Sequence, residues 1–110
     1  MDIKLTKEIY LLHEQVCDAL SSPIRIMILY SLSEQSRYVI DLAAELDLPQ
    51  PTVSRHLKVL RERGLVTAHR RGPTVYYSLG DERIIQALEL MRGVLRDRLQ
   101  QQSRLTDKKA

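Results

Sequence analysis

The most constraining feature of the sequence is a very short connection, residues 47–51, between two short helical patterns. On its far side Val53, Leu57 and Leu60 repeat at four and three residues, as on one face of a helix. Pro51 cannot lie inside a helix but suits its first turn. Because so short a connection holds the two helices side by side, the pattern predicts a helix-turn-helix.

Gly64 is placed to end the second of these helices, and the hydrophobic period changes after it. Residues 65–69 and 74–79 are rich in β-prone side chains, and the four residues between them include Arg70 and Arg71. This arrangement predicts a β-hairpin whose turn carries two arginines.

Apolar spacing predicts further helices on both sides of these elements. The first runs through about Leu20, and the second starts at Ser22, a good N-cap, with Pro23 at its first position. The last is capped by Asp81. Its apolar stripe is formed by Ile84, Leu88, Met91, Leu95 and Leu99. Since this helix is longer than a small core needs, part of its stripe is expected to meet another chain.

The predicted fold is therefore mainly α with a two-stranded β-hairpin: four helices, the hairpin and a fifth helix. The 110 residues suffice for one domain. We expect that domain to span residues 1–102, followed by a polar, frayed tail at residues 103–110.

Composition excludes several classes of function. The chain has no Phe and no Trp, which excludes an aromatic platform for single-stranded nucleic acid, and its single Cys excludes a disulfide framework or a Cys-rich zinc site. No nucleophile–base pairing or phosphate loop is visible, so we expect no enzyme. Without a signal-peptide pattern or a long apolar run, we expect a cytoplasmic protein that does not enter the membrane.

The net charge of +3 is unevenly distributed. Residues 49–78 contain six basic side chains against one acid, a net +5, so the rest of the chain carries −2. A basic block on a slightly acidic body is typical of a polyanion-binding face, although a solvated helix and loop would also fit.

The predicted helix after Pro51 points to the first of these alternatives. With its apolar residues in the core, it turns a polar, acid-free face to solvent, whereas a solvated helix would normally interleave Glu with Lys and Arg. Amide, hydroxyl and guanidinium groups read base edges and grip phosphates. The residues of this face are Gln50, Thr52, Ser54, Arg55 and Lys58.

Five motifs occur in order along the chain: DALSSPIRIMIL from Asp18, DLAAEL from Asp41, PQPTVSRHLKVL from Pro49, RGLV from Arg63 and RGPTVYYSL from Arg71. Over roughly residues 10–100 they resemble the ArsR/SmtB family of bacterial and archaeal transcriptional repressors. The resemblance implies a winged helix-turn-helix domain that forms a homodimer through its first and last helices. It also implies a repressor that binds an imperfect palindromic operator in double-stranded DNA and is released by an inducer.

By position, the resemblance makes residues 51–63 the recognition helix and the hairpin the wing. The implied DNA contacts on the helix are Gln50, Thr52, Ser54, Arg55 and His56, and on the wing His69, Arg70, Arg71, Thr74 and Tyr76. His56 could instead pack at the helix edge. Arg61 and Arg63 fit general phosphate or solvent contacts. Tyr76 and Tyr77 alternate along a strand, so one of them should be in the core.

The two metal-site patterns of the family are altered here. The third-helix pattern Cys-Val-Cys-Asp-Leu is replaced by Tyr38-Val39-Ile40-Asp41-Leu42, which lacks both thiols. The last-helix pattern falls on Asp81, Arg83, Val94 and Asp97, where both imidazoles are missing. Carboxylates alone make a poor zinc or nickel site. We therefore expect no metal and no cofactor, and the inducer stays unidentified.

Cys17 and His13 are four residues apart and so share a face of the first helix. They could form a thiol sensor, or half of a metal site completed across a dimer. Alternatively, Cys17 is a small buried hydrophobe beside Val16 and Leu20.

Two other functions remain as alternatives to a sequence-specific repressor. A winged-helix protein-interaction module would need an exposed apolar patch where the sequence places polar side chains. A non-specific architectural DNA binder would need more positive charge than +3.

Overall fold

A computed structural model describes the backbone of residues 1–109 and the side chains of residues 1–105. Its helices are α1 (Ile3–Leu12), α2 (Pro23–Glu34), α3 (Val39–Leu46), α4 (Gln50–Glu62) and α5 (Glu82–Lys109). Its strands are β1 (Arg37–Tyr38), β2 (Val66–Arg71) and β3 (Thr74–Leu79). One wider π-helical turn, His13–Cys17, continues α1.

Local capping groups set the helix ends as the sequence predicts. The Ser22 hydroxyl accepts a hydrogen bond from the backbone N–H of Arg25, with Pro23 at the start of α2. An Asp81 carboxylate oxygen accepts one from the N–H of Arg83 at 2.9 Å, at the start of α5.

The turn between α3 and α4 is as tight as predicted, and a left-handed residue ends each helix. Asp47 has φ +53° after α3, and Gly64 has φ +75° after α4. Beyond Gly64, the N–H of Leu65 returns to the carbonyl of Leu60 at 2.9 Å, a Schellman closure. The helix-turn-helix prediction is confirmed.

The hairpin prediction is also confirmed, but the sheet has a third strand. In the hairpin Arg71 pairs with Thr74 across the turn, while β1 pairs antiparallel with β3, Tyr38 opposite Tyr76, so the order is β1-β3-β2. The strand β1 was not predicted from the sequence. A two-residue strand has no periodicity of its own and exists through its pairing with a distant strand.

The core is aliphatic and joins the helix-turn-helix to α2 and the sheet. Its largest fully buried side chains are Ile28, Leu29, Leu42, Leu57, Leu60, Val53 and Val66. Because α2, α3, α4 and β2 all contribute, the placement of α4 relative to the hairpin depends on one shared core.

By contrast, α1 and α5 leave apolar faces uncovered by this chain. No residue of α1 is buried, and in α5 Leu90 is 75% and Val94 70% exposed. The backbone of α5 continues helically past Gln102 to Lys109. The tail expected from residue 103 is helical in its backbone through Lys109, and it lacks Gly and Pro, which would break a helix. Ala110 lies outside the described residues.

Within the part of the chain that the structure describes, no helix has both the length and the apolar character needed to cross a membrane.

Candidate nucleic-acid interface

One face of α4 is polar, exposed and free of acids over its first three turns. Val53, Leu57 and Leu60 turn the opposite face into the core. The exposed side chains, called here the α4 polar face, are Gln50, Ser54, Arg55 and Lys58. Thr52, predicted to be exposed with them, is half-buried, and its hydroxyl accepts a hydrogen bond from the Arg55 guanidinium at 3.4 Å.

His56 is half-buried beside this face and has a structural partner. Its Nδ1 accepts a hydrogen bond from Nε of Arg25 at 3.2 Å, which assigns the ring proton to Nε2. Burial lowers the pKa of His56, and the positive charges of Arg25 and Arg55 lower it further. The ring is therefore neutral near pH 7, with Nδ1 engaged and Nε2 as its N–H donor.

Arg25 was missed by the sequence analysis. Besides His56, its guanidinium donates to the backbone carbonyls of Asp18 and Ala19, both at 3.3 Å. It thus connects α4 to Asp18 and Ala19, the two residues that follow the π-helical turn. The sequence offered one sign of this role, since Arg25 is a charged side chain between Ile24 and Ile26 in the apolar first half of α2.

Arg63 makes a similar connection from the end of α4. Its guanidinium forms an ion pair with the Asp18 carboxylate at 3.1 Å and donates to the backbone carbonyl of Glu14. Arg63 therefore points back toward the first helix, away from the α4 polar face, whereas Arg61 is exposed.

The wing carries the other predicted residues on its outer half. His69, Arg70, Arg71 and Thr74 are exposed. The Arg71 guanidinium carbon lies 4.2 Å from the centroid of the Tyr76 ring, a cation–π contact. Tyr77 packs against the core on the opposite face, so the predicted alternation of the two tyrosines is confirmed.

An open cleft of about 420 Å³ separates the start of α4 from the wing. Gln50 and Ser54 line one wall, Pro73 and Thr74 another, and Ile40, 63% exposed, lies at the start of α3. The recognition helix and the wing thus project on either side of a groove that both line.

The predicted sensing residues lie on the π-helical turn. His13 and Cys17 are both exposed in the single chain, so Cys17 is not the small core residue that one interpretation expected. Cys17 is exposed because the π-helical turn continues α1, and neither α1 nor the turn buries a side chain in this chain. Among the described residues, no group of three or more His, Cys, Asp or Glu side chains is placed to hold a metal ion.

At the altered last-helix pattern, the Asp81 carboxylate is paired with the guanidinium of Arg83 at 2.7 Å. The side-chain hydrogen bond from Arg83, followed by that from its backbone N–H, lowers the pKa of Asp81 to about 2. The carboxylate that resembles a family metal ligand is thus engaged by a cation of the same chain.

Comparisons with known proteins agree on one family. A family model described as "Bacterial regulatory protein, arsR family" matches residues 22–68. An uncharacterized HTH-type transcriptional regulator of Methanocaldococcus jannaschii, MJ1325, is 36% identical over 78 residues, which cover 70% of this chain and 88% of that protein. The chain belongs to the ArsR family.

Other members of the family extend the comparison. The HTH-type transcriptional repressor SmtB of Mycobacterium tuberculosis is 46% identical over 66 residues, 60% of this chain. The match spans about half of SmtB, 49% of its length. Since these relatives are transcriptional regulators, the expectation that this ArsR-family chain is not an enzyme is confirmed.

Solved structures show the same fold. Rv0081 of M. tuberculosis aligns with a TM-score of 0.75 at 34% identity, over 86% of this chain and 95% of that one. The homodimeric winged helix-turn-helix DNA-binding domain of Mb0332 from Mycobacterium bovis aligns with a TM-score of 0.76 at 26% identity, over 90% and 91%. The predicted winged helix-turn-helix architecture is confirmed.

Proposed function

We propose that this ArsR-family chain is a dimeric, sequence-specific repressor that reads DNA through the α4 polar face and the wing. The observation that carries the proposal is the acid-free face of α4, with Gln50, Ser54, Arg55 and Lys58 exposed together. Guanidinium and amide groups of this kind form bidentate contacts with base edges in the major groove. His56 contributes its Nε2–H and Thr52 its hydroxyl at the edge of this face.

The wing supplies the second half of the interface. Its exposed residues His69, Arg70, Arg71 and Thr74, together with Tyr76, contact the DNA backbone beside the groove that α4 reads. The cleft between α4 and the wing leaves room for that backbone to pass. Backbone contacts position a protein on DNA, and base contacts supply the sequence preference.

Two copies associate through α1 and α5 in this proposal. Both helices expose apolar faces that a soluble monomer would rarely leave uncovered. Two recognition helices in a two-fold dimer address half-sites about 34 Å apart, which predicts an imperfect palindrome as operator. The homodimeric state of the Mb0332 domain supports association into a dimer.

An inducer releases the repressor from its operator, and it acts elsewhere than at the family's two metal patterns. Tyr38 and Ile40 offer no thiol, and Asp81 is paired with Arg83. A response through the exposed thiol of Cys17 is testable by comparing DNA affinity with and without oxidant in the parent protein and in Cys17→Ser. As a DNA-binding repressor, the protein works in the cytoplasm, and we place the folded domain at residues 1–102.

The test is DNA binding by fluorescence anisotropy, using duplexes selected from a random library. Affinity for the selected duplex should fall steeply from about 50 to 300 mM salt, because each Arg or Lys contact releases counterions. A flat salt response would refute the proposal. A protein-interaction module would show no duplex binding, and an architectural binder would show no preference between selected and random duplexes.

Two variants separate base contacts from phosphate contacts. Arg55→Ala should cost about 1–3 kcal/mol of binding free energy on the selected duplex and less on random duplexes, as a base contact does. Arg71→Ala should weaken both duplexes alike, because a wing arginine grips the backbone. Arg96→Ala, which removes an exposed arginine of α5 outside both elements, serves as the control and should bind as the parent does.

A further inference from the structure

An aromatic contact joins the wing to the residue that precedes α3. Tyr38 lies directly opposite Tyr76 in the pairing of β1 with β3, and their ring centroids are 5.0 Å apart at an interplanar angle of 57°. Tilted rings at this distance are a favourable arrangement for an aromatic pair. Since Tyr38 immediately precedes α3, the contact ties the wing to the start of the helix-turn-helix.

The same Tyr76 ring also contacts Arg71 of the wing. The Arg71 guanidinium lies 4.2 Å from the ring centroid. A guanidinium stacked on a ring uses its planar face, so its N–H donors at the edge stay available for a phosphate. Stacking therefore restricts the rotamers of an exposed arginine without consuming its hydrogen-bond donors.

The register shows why this support matters at the wing tip. β1 pairs with β3 at Tyr76 and Tyr77, and β3 residues nearer the turn, Thr74 and Val75, pair with β2 alone. Tyr38 is thus the last residue of the third strand beside the two-stranded tip that bears Arg71. If the ring of Tyr38 were absent, the Tyr76 ring would lose its neighbour on the side of the helix-turn-helix.

We propose that Tyr38 is a positioning residue for the wing: its ring holds Tyr76, which in turn holds the Arg71 guanidinium where it meets the DNA backbone. The proposal rests on the proposed function, because it assigns Tyr38 a role in the same DNA interface. It predicts that Tyr38 and Arg71 act on DNA binding as one unit.

The test is a double-mutant cycle of Tyr38→Ala and Arg71→Ala, read by anisotropy on the selected duplex across a salt series. Tyr38→Ala should weaken binding about two- to tenfold, the range of an aromatic pair. It should also lower the slope of log affinity against log salt by about as much as Arg71→Ala does, about one. In the Arg71→Ala background, Tyr38→Ala should cause no further loss.

The aromatic ring, not the hydroxyl, is what the proposal requires. Tyr38→Phe keeps the ring and should restore both the affinity and the salt slope. Tyr38→Leu keeps apolar bulk without a ring and should behave as Tyr38→Ala, so the test stands even if the alanine variant does not fold. Additive losses in the cycle, or weaker binding with an unchanged salt slope, would overturn the proposal.

A measurement without DNA separates this proposal from the proposed function. In NMR spectra of the free protein, the side-chain protons of Arg71 should carry a ring-current shift from Tyr76 that Tyr38→Leu reduces and Tyr38→Phe retains. A shift unchanged in Tyr38→Leu contradicts the positioning role. Absence of salt-dependent DNA binding by the parent protein would instead refute the proposed function and leave this readout intact.

Discussion

Substituting Val94 with aspartate should separate the two subunits of the proposed dimer without unfolding either of them. Val94 is 70% exposed on the apolar face of α5, so the single chain already tolerates water at this position. Asp and Val have similar helix propensities, and exposed substitutions change stability by about 0.5 kcal/mol or less. The monomer should therefore keep its fold.

The expected loss of association follows from the exposed area. Full burial of a valine side chain contributes about 1.5–3 kcal/mol, so the exposed 70% of Val94 leaves about 1–2 kcal/mol for the interface. A two-fold interface contains each residue twice, which doubles the loss to about 2–4 kcal/mol. Dimer dissociation should then become about 30- to 700-fold easier, and burying two carboxylates adds to this.

Sedimentation equilibrium over a range of concentrations measures the dimer dissociation constant, with circular dichroism as the check on folding. Gln100→Asp is the matched control, since it adds the same charge at an exposed polar position on another side of α5. A folded Val94→Asp variant that dimerises as tightly as the parent would show that this face of α5 is not the interface.

The remaining predictions concern stability and are measured by urea unfolding. In the folded protein the pKa of His56 lies below its ordinary value of 6.5. Just below pH 6.5 the unfolded chain therefore binds a proton on His56 that the folded protein does not bind. The free energy of unfolding should fall as pH drops from 6.5 toward the folded pKa, and His56→Asn should remove this component; an identical pH profile in both proteins contradicts it. Leu57→Ala, at a fully buried position, should cost about 2–5 kcal/mol, and a loss below 1 kcal/mol would contradict the assigned core. Gly80→Ala should cost about 1–3 kcal/mol, because the new Cβ would lie 2.6 Å from the Gly64 carbonyl oxygen. Gly93→Ala has open space on α5 and should stabilise by about 0.5–1 kcal/mol; equal effects of the two alanines would argue against this packing.

Much of the fold and most of the α4 polar face could be predicted from local pattern. The spacing of Val53, Leu57 and Leu60 decides which side of α4 is buried, and therefore that Ser54 and Arg55 are exposed. A helix has a fixed period, so its buried residues determine its exposed ones.

The side-chain contacts that the sequence did not indicate join distant parts of the chain. Arg25 meets His56 across 31 residues, and Arg63 meets Asp18 across 45. No periodicity encodes such a pair, because the guanidinium finds its acceptor only after the shared core has brought α2, α4 and the π-helical turn together.

The sequence by itself determined a helix-turn-helix with a basic hairpin, since turns, caps and amphipathic faces are written within a few neighbouring residues. Tertiary structure decided how those parts are held for use. It formed β1 by pairing Tyr38 with Tyr76, and it stacked Arg71 on the same ring. It also left much of the apolar surface of α1 and α5 uncovered, because the buried core contains Leu88 of α5 and no residue of α1. Each of these features depends on which surfaces meet when the chain packs. A local sequence pattern does not contain that information.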